Sequence, residues 1–379
     1  LWPEGRLESF LPLKEGLPEK IKPARAEVLP RPALATTVLT PKTEFAQTRL
    51  VEIGRGCPHG CRFCLAGFVY RPPRTAAREA VFEALGPPAR EGERVGLVSP
   101  AAADHPELEE IVRTLTAQGR QVTVSSLRVQ ALTPSLVEAL ALGRLQSVAL
   151  APEASSQRLR DAINKNLTEA RMLEGVGLLG QAGLRRLKLY FMIGLPLEED
   201  DDLRAAADLV QKIRARFTGR TGLRRRAPEI TVSVSSFVPK PHTPFQAAPS
   251  ARPRELKRRL GLFSRGLTGH GVKVNFDPPR LSYFQTLFSR GDRRLAGVIE
   301  ALADGLGPAQ ALARAPYDPD DLVHRALAED RARPWDFIDH GLSPGFLEKE
   351  AKRASAGRST PPCRPETCRL CGVCGREEP

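Results

Sequence analysis

Several absences narrow the class of this chain before any motif is read. No apolar run approaches the roughly 18 residues that a bilayer-spanning helix needs, and no signal peptide opens the sequence. Both point away from the membrane and toward the cytoplasm. No internal repeat stands out, which argues against a repeat architecture. Aromatic residues make up only 6% of the chain, and no aromatic-rich strand accompanies the charge as a stacking platform for RNA would require. The seven cysteines fall in two groups, not scattered pairs, so metal binding in a reducing cytosol is expected over disulfides.

What remains is an ordinary globular composition, 41% apolar and 27% charged over 379 residues, long enough for two or three domains and a substantial core. The net charge is +13, with basic runs at Arg224-Arg225-Arg226, Arg252 to Arg259 and Arg290 to Arg294. That balance permits an anionic partner such as RNA; the plainer reading is a solvated surface. The chain starts at Leu1, which fits either missing upstream residues or a rare start codon read literally.

Residues 1–45 are proline-rich and read as a lead-in or linker. From Thr48 apolar strand runs at 50–54, 95–99, 122–127, 147–152, 186–194 and 230–238 alternate with helical patterns near 75–85, 106–118, 134–142, 155–163, 168–182 and 199–217. Thr133 and Thr168 are expected N-caps. The run Leu187 to Ile193 is uniformly apolar, as a helix-covered parallel strand should be. Six βα units predict an α/β fold, a partial (β/α)6 TIM-like barrel over 46–249. Functional residues belong at the C-terminal ends of its strands. A mostly helical extension over 250–360 follows, with helices at 252–269, 281–304, 307–314 and 319–330 and a short strand at 272–276. A Cys-rich tail spans 361–379.

Cys57, Cys61 and Cys64, spaced C-x3-C-x2-C, follow the first strand directly. Thiolate suits iron–sulfur clusters and zinc. Three cysteines would hold a [4Fe–4S] cluster with one iron left open. A zinc knuckle completed by His59 is the competing reading. Gly56 and Gly60 allow the backbone to wrap closely.

Other strand ends carry polar residues. Ser99 ends the second strand, with His105 as a helix-start cap beyond it. Ser125-Ser126-Leu127-Arg128 ends the third, offering hydroxyls and a guanidinium suited to ribose and carboxylate. Glu153 ends the fourth, where a carboxylate needs a cation; Arg158 or Lys165 could supply it within the chain. Gly194 ends the fifth and permits close backbone approach. Lys240 and His242 sit among prolines after the sixth, as a lip over a substrate.

The cysteine triad with its Phe63 resembles the signature of radical S-adenosylmethionine (SAM) enzymes. Glu52 to Cys57, Tyr70-Arg71-Pro72, Ser125 to Arg128, Ala151 to Lys165, Lys188 to Pro196, Ser235 to Phe245 and Ser289 to Arg294 are similar to a cobalamin-binding branch of that family. The resemblance implies a [4Fe–4S] cluster on Cys57, Cys61 and Cys64 that cleaves SAM to methionine and a 5′-deoxyadenosyl radical. It implies Phe63 beside the adenine, and Ser99, Ser126, Arg128, Glu153, Arg158 and Gly194 around SAM. The Gly-Glu dipeptide that many relatives carry after the second strand is missing. Cobalamin is expected only for a longer parent chain, since 56 residues before Cys57 leave too little room for its domain. An electron donor of flavodoxin or ferredoxin type follows from the chemistry, and methyl transfer or another C–H functionalisation is the expected outcome. The substrate is not legible. A methylthiotransferase-like enzyme acting on RNA or the ribosome, and a non-catalytic metal- and RNA-binding protein, are the alternatives.

Cys363, Cys368, Cys371 and Cys374 form a second group, C-x4-C-x2-C-x2-C, expected to bind a second [4Fe–4S] cluster or zinc.

Overall fold

The structure is a computed structural model and describes residues 12, 14–125, 127–143, 145, 147–218, 229–267, 271–328 and 332–374. The strands are β1 (Thr48–Glu52), β2 (Gly54–Arg55), β3 (Arg74–Thr75), β4 (Arg94–Val98), β5 (Gln121–Val124), β6 (Ser147–Glu153), β7 (Arg186–Ile193), β8 (Glu229–Ser236) and β9 (Val272–Phe276). All but β2 and β3 pair in parallel, in two sheets of order β1-β4-β5 and β6-β7-β8-β9. The fold is therefore mixed α/β with parallel sheets. Between these strands run α1 (Arg78–Leu85), α2 (Leu108–Ala117), α3 (Pro134–Leu142), α4 (Gln157–Ala162), α5 (Glu169–Gln181) and α6 (Asp200–Thr218).

The local chemistry explains several boundaries. Thr133 and Thr168 accept the N–H groups of Leu136 and Arg171 at 3.1 and 3.3 Å, so both expected N-caps are present. Pro134 occupies the first turn of α3, where its missing N–H costs nothing. Helix residues Leu203, Leu209 and Ile213 share one core with Leu187, Leu189, Phe191 and Ile193 of β7.

Three expectations need correcting. The β7 run alternates buried and exposed residues instead of burying both faces, with Tyr190 42% exposed. Its odd-numbered residues share one core with α6, while Arg186, Lys188 and Tyr190 on the other face are exposed. The strand at 272–276, read as part of the extension, pairs in parallel with β8 and continues the sheet. The single helix expected at 281–304 is broken into α8 (Pro279–Arg290) and α9 (Ala296–Ala303). Gly291 leaves the helix in an extended conformation and Asp292 caps the next turn through Arg294 N–H.

The rest of the extension comprises α7 (Pro253–Ser264), α10 (Pro308–Leu312), α11 (Pro319–His324) and α12 (Phe346–Ser355). Among the described residues no helix is long and apolar enough to cross a membrane. The lead-in is stitched to both ends of the fold, through an Ala35 bridge to Val51 and an Ile21 bridge to Ile338.

Candidate active site

The short antiparallel pair β2–β3 joins Gly54 to Thr75 and Arg55 to Arg74, which closes the base of the loop that carries the triad. Inside the loop Cys57 N–H donates to Ala66 O at 3.2 Å and Cys64 N–H to Cys61 O at 2.9 Å. Gly56 has φ 78, and a Cβ there would sit 2.4 Å from Tyr70 O, so only glycine fits. Cys61 is buried, and Cys57 and Cys64 are half-buried.

Burial pushes the Cys57 thiol up to about 12, with the neighbouring Cys61 and Cys64 adding to the rise and Arg128 opposing it. Cys64 is raised for the same first reason, burial, with Cys61 and Glu153 adding and Lys240 opposing. Three cysteines on one short loop, two of them with thiols raised by burial, are a donor set that suits a cationic group. They fit an iron–sulfur cluster on that ground. Among the described residues no three His, Cys, Asp or Glu side chains are arranged to hold a single metal ion. A four-iron cage separates its thiolates more widely than one ion does.

His59 turns to Asp104, Nε2 to Oδ2 at 3.0 Å, and so has a partner of its own beside the triad. Arg128 lies close by, one-tenth exposed, donating to Lys165 O at 3.3 Å and 3.9 Å from Asp104; its Nε has no hydrogen-bond partner. Glu153 ends β6 with φ 67, a conformation unusual for its residue type. Lys165 answers its carboxylate at 3.2 Å, so the partner within the chain is Lys165 and not Arg158. Phe63 packs on a small apolar cluster of Ala154, Leu195, Phe237 and Phe245, at the ends of β6, β7 and β8.

Ser99, Gly194 and Arg158 are each engaged by partners within the chain. Ser99 Oγ accepts Ala101 N–H at 3.2 Å, and Ser125 bonds both the N–H and C=O of Ser99. Gly194 has φ 77 and its N–H goes to Glu198 at 2.7 Å; a Cβ there would meet Leu256 of α7 at 3.0 Å, which gives the glycine a packing reason of its own. Arg158 turns to Asp202 and Leu197 O at the start of α6. Ser126 lies outside the described residues. His105 Nδ1 accepts Glu107 N–H at 3.1 Å, the capping role expected of it. Several arginines of the basic runs are paired within the chain. Arg258 and Arg259 pair with Asp200, Glu255 and Glu198, Arg294 with Asp292, and Arg290 is buried on three backbone carbonyls. Arg224-Arg225-Arg226 lies outside the described residues.

Sequence reasoning missed the groups that brace the loop from behind. Arg62, fully buried, donates to Ala162 O at 2.7 Å, Arg358 O at 2.6 Å and Glu350 at 3.2 Å. Asn164 donates to Gly60 O at 2.9 Å and accepts Thr360 N–H at 2.7 Å. An arginine lodged between two cysteine ligands was the available signal. Its partners, 100 to 296 residues along the chain, were not.

Residues 51–210 match the radical SAM superfamily. The triad falls inside the matched stretch. An uncharacterized protein of Methanocaldococcus jannaschii is 29% identical over 258 residues, which is 68% of this chain and 55% of that protein. The chain therefore spans about half the length of the curated relative it matches. Among solved structures, SuiB of Streptococcus suis has a TM-score of 0.38 at 12% identity, over 59% of this chain and 47% of that one. The radical S-adenosylmethionine methyltransferase TsrM of Kitasatospora setae, solved with tryptophan and a SAM analog, has a TM-score of 0.42 at 13% identity, over 83% of this chain and 59% of that one. Likeness at this level carries no argument about the reaction.

Proposed function

We propose that the chain is a radical SAM enzyme that functionalises an unreactive C–H bond, with Cys57, Cys61 and Cys64 holding its [4Fe–4S] cluster. When bound, the cluster supplies the electron that cleaves SAM to methionine and a 5′-deoxyadenosyl radical. The chain's own residues bind, orient and enclose. The single observation that carries the reading is the convergence of three cysteines on one loop with a half-buried cation, Arg128, and a half-buried carboxylate, Glu153. Arg128, whose Nε makes no hydrogen bond and only a 3.9 Å ion pair to Asp104, supplies a donor for the carboxylate of SAM. Glu153 supplies an acceptor for a ribose hydroxyl or the ammonium, once SAM competes with Lys165 for it. Phe63 offers an apolar face to the adenine. Methylation is the reading for the net reaction where cobalamin acts with the domain, and a flavodoxin- or ferredoxin-type carrier is the electron source. The decisive experiment is anaerobic: reduced, reconstituted protein plus SAM should yield 5′-deoxyadenosine. A protein that loads iron and binds SAM but forms none would sink the proposal.

A further inference from the structure

Beyond the end of β8, His242 and Gln246 form one wall of a cavity of about 170 Å³, and the stretch 333–348 forms the other. Gln246 ties the walls together, since its Oε1 accepts both His242 N–H and Trp335 Nε1–H at 2.9 Å. His242 is held there at φ 56, a left-handed conformation unusual for its residue type. Its imidazole meets that of His340 edge to face at 4.4 Å, and its Nε2 is buried with no hydrogen-bond partner.

The charge of the cavity centres on Arg333. This side chain is 8% exposed and its Nε is buried without a hydrogen-bond partner. Among the described residues its guanidinium forms an ion pair with Glu348 alone, at 3.8 Å, which is beyond hydrogen-bond length. A buried guanidinium left with unused donors is costly, and an anion that reaches them removes the cost. Asp336 and Asp339 also line the cavity, but each is turned to backbone, accepting Arg333 N–H at 2.9 Å and Gly341 N–H at 2.7 Å. With Glu348 they suit a ligand of single negative charge better than doubly charged phosphate. Burial, with His340 and Arg333 adding, lowers the His242 pKa to about 4, so at pH 7 its ring is neutral and donates one N–H. Ile338, Leu342, Phe346 and Leu347 give the cavity an apolar side. Phe346 also packs against Phe68 of the triad loop at 6.4 Å, and Phe245 N–H donates to Arg62 O at 3.2 Å, so the cavity adjoins that loop without including a cysteine.

We infer that this cavity is a binding site for the carboxylate of a small organic acid with an apolar stem. The Arg333 guanidinium takes the carboxylate oxygens in its planar fork. The imidazoles offer a further donor, and the stem lies against Leu342, Phe346 and Leu347. The site is separate from the triad, and its ligand binds whether or not SAM is cleaved.

Isothermal titration calorimetry of the full chain at pH 7, with phenylacetate, phenylacetamide and inorganic phosphate, tests this. Phenylacetate should bind at a single site, and the amide and phosphate about tenfold more weakly or worse. Equal affinity for the amide, equal affinity for phosphate, or no binding of phenylacetate each overturns the inference. Arg333→Met should weaken phenylacetate about tenfold or more, yet keep the ligand-free denaturant midpoint, because the side chain has no hydrogen bond to lose. A variant that loses stability but keeps the affinity would give Arg333 a structural role and overturn the site. Should Arg333→Met not fold, the parent decides: the imidazole nitrogen resonances of His242 and His340 should shift with phenylacetate and not with the amide, and unmoved resonances refute the inference. Phenylacetate binding in a protein that forms no 5′-deoxyadenosine would uphold the site and sink the radical SAM reading; SAM cleavage without such binding would do the reverse.

Discussion

Arg62 and Glu350 meet in the interior, Nη2 to Oε2 at 3.2 Å, although 288 residues separate them. Both side chains are almost fully buried, and Thr360 Oγ1 donates to the same carboxylate at 2.8 Å. Arg62 stands between two triad cysteines and Glu350 stands on α12, so the extension braces the loop that carries the chemistry. Burial lowers the Arg62 pKa, and Glu350 opposes that shift.

Removing one partner should therefore cost more than removing both. Glu350→Ala strands a buried guanidinium and should destabilise the fold by about 3–5 kcal/mol, whereas Arg62→Met with Glu350→Leu should recover much of that loss. Denaturant midpoints of the three proteins check this. A double variant as unstable as Glu350→Ala would mean that the backbone contacts of Arg62, not the ion pair, hold the region.

Asn164→Ala should loosen the triad loop. The change leaves Gly60 O and the buried Thr360 N–H without partners, at about 1–3 kcal/mol each, and places alanine at φ 57. Lower iron retention after gel filtration, with the far-ultraviolet circular dichroism kept, is the expected result. Full retention would show that the loop holds its shape without the bridge.

Cys61→Ala should abolish SAM cleavage and leave circular dichroism nearly unchanged, because the core is built by the helices and sheets and not by the loop. Cleavage surviving in this variant would remove the triad from the chemistry.

Glu153→Gln should weaken SAM binding several-fold, as read by equilibrium dialysis. Arg160→Ala should act differently. Arg160, on α4, is 1% exposed and bonds Ala154 O, Ser155 O and Leu167 O. Its loss should therefore lower stability and leave the affinity of the folded fraction unaltered. Equal SAM affinity for Glu153→Gln and parent would exclude Glu153 from the site.

His242 gives a pH signature. Burial lowers its pKa to about 4, with His340 and Arg333 adding to the shift, and the two imidazole rings sit 4.4 Å apart. The unfolded chain takes up this proton near 6.5 and the folded chain does not. The stability held above pH 6.5 is thus lost progressively as pH falls toward 4. His242→Asn tolerates the same positive φ and should flatten that slope in denaturant titrations between pH 7 and 4.5. An unchanged slope would assign the acid sensitivity to other groups.

The sequence by itself determined the order of the six main strands and of the helices α1 to α6 between them, because strand runs and Thr caps are local signals that tertiary contacts did not override. It also placed the triad at a strand's C-terminal end, since motif and first strand are adjacent in the chain. Tertiary structure decided everything that depends on distant partners. It chose Lys165 over Arg158 for Glu153, paired Arg258, Arg259 and Arg294 with carboxylates, buried Arg290, added β9 to the sheet and folded the tail onto Pro58. The reason is physical. A cap or a turn is satisfied within four residues, while a buried charge or an unpaired backbone group takes whichever partner packing brings near, and that partner leaves no trace in local sequence.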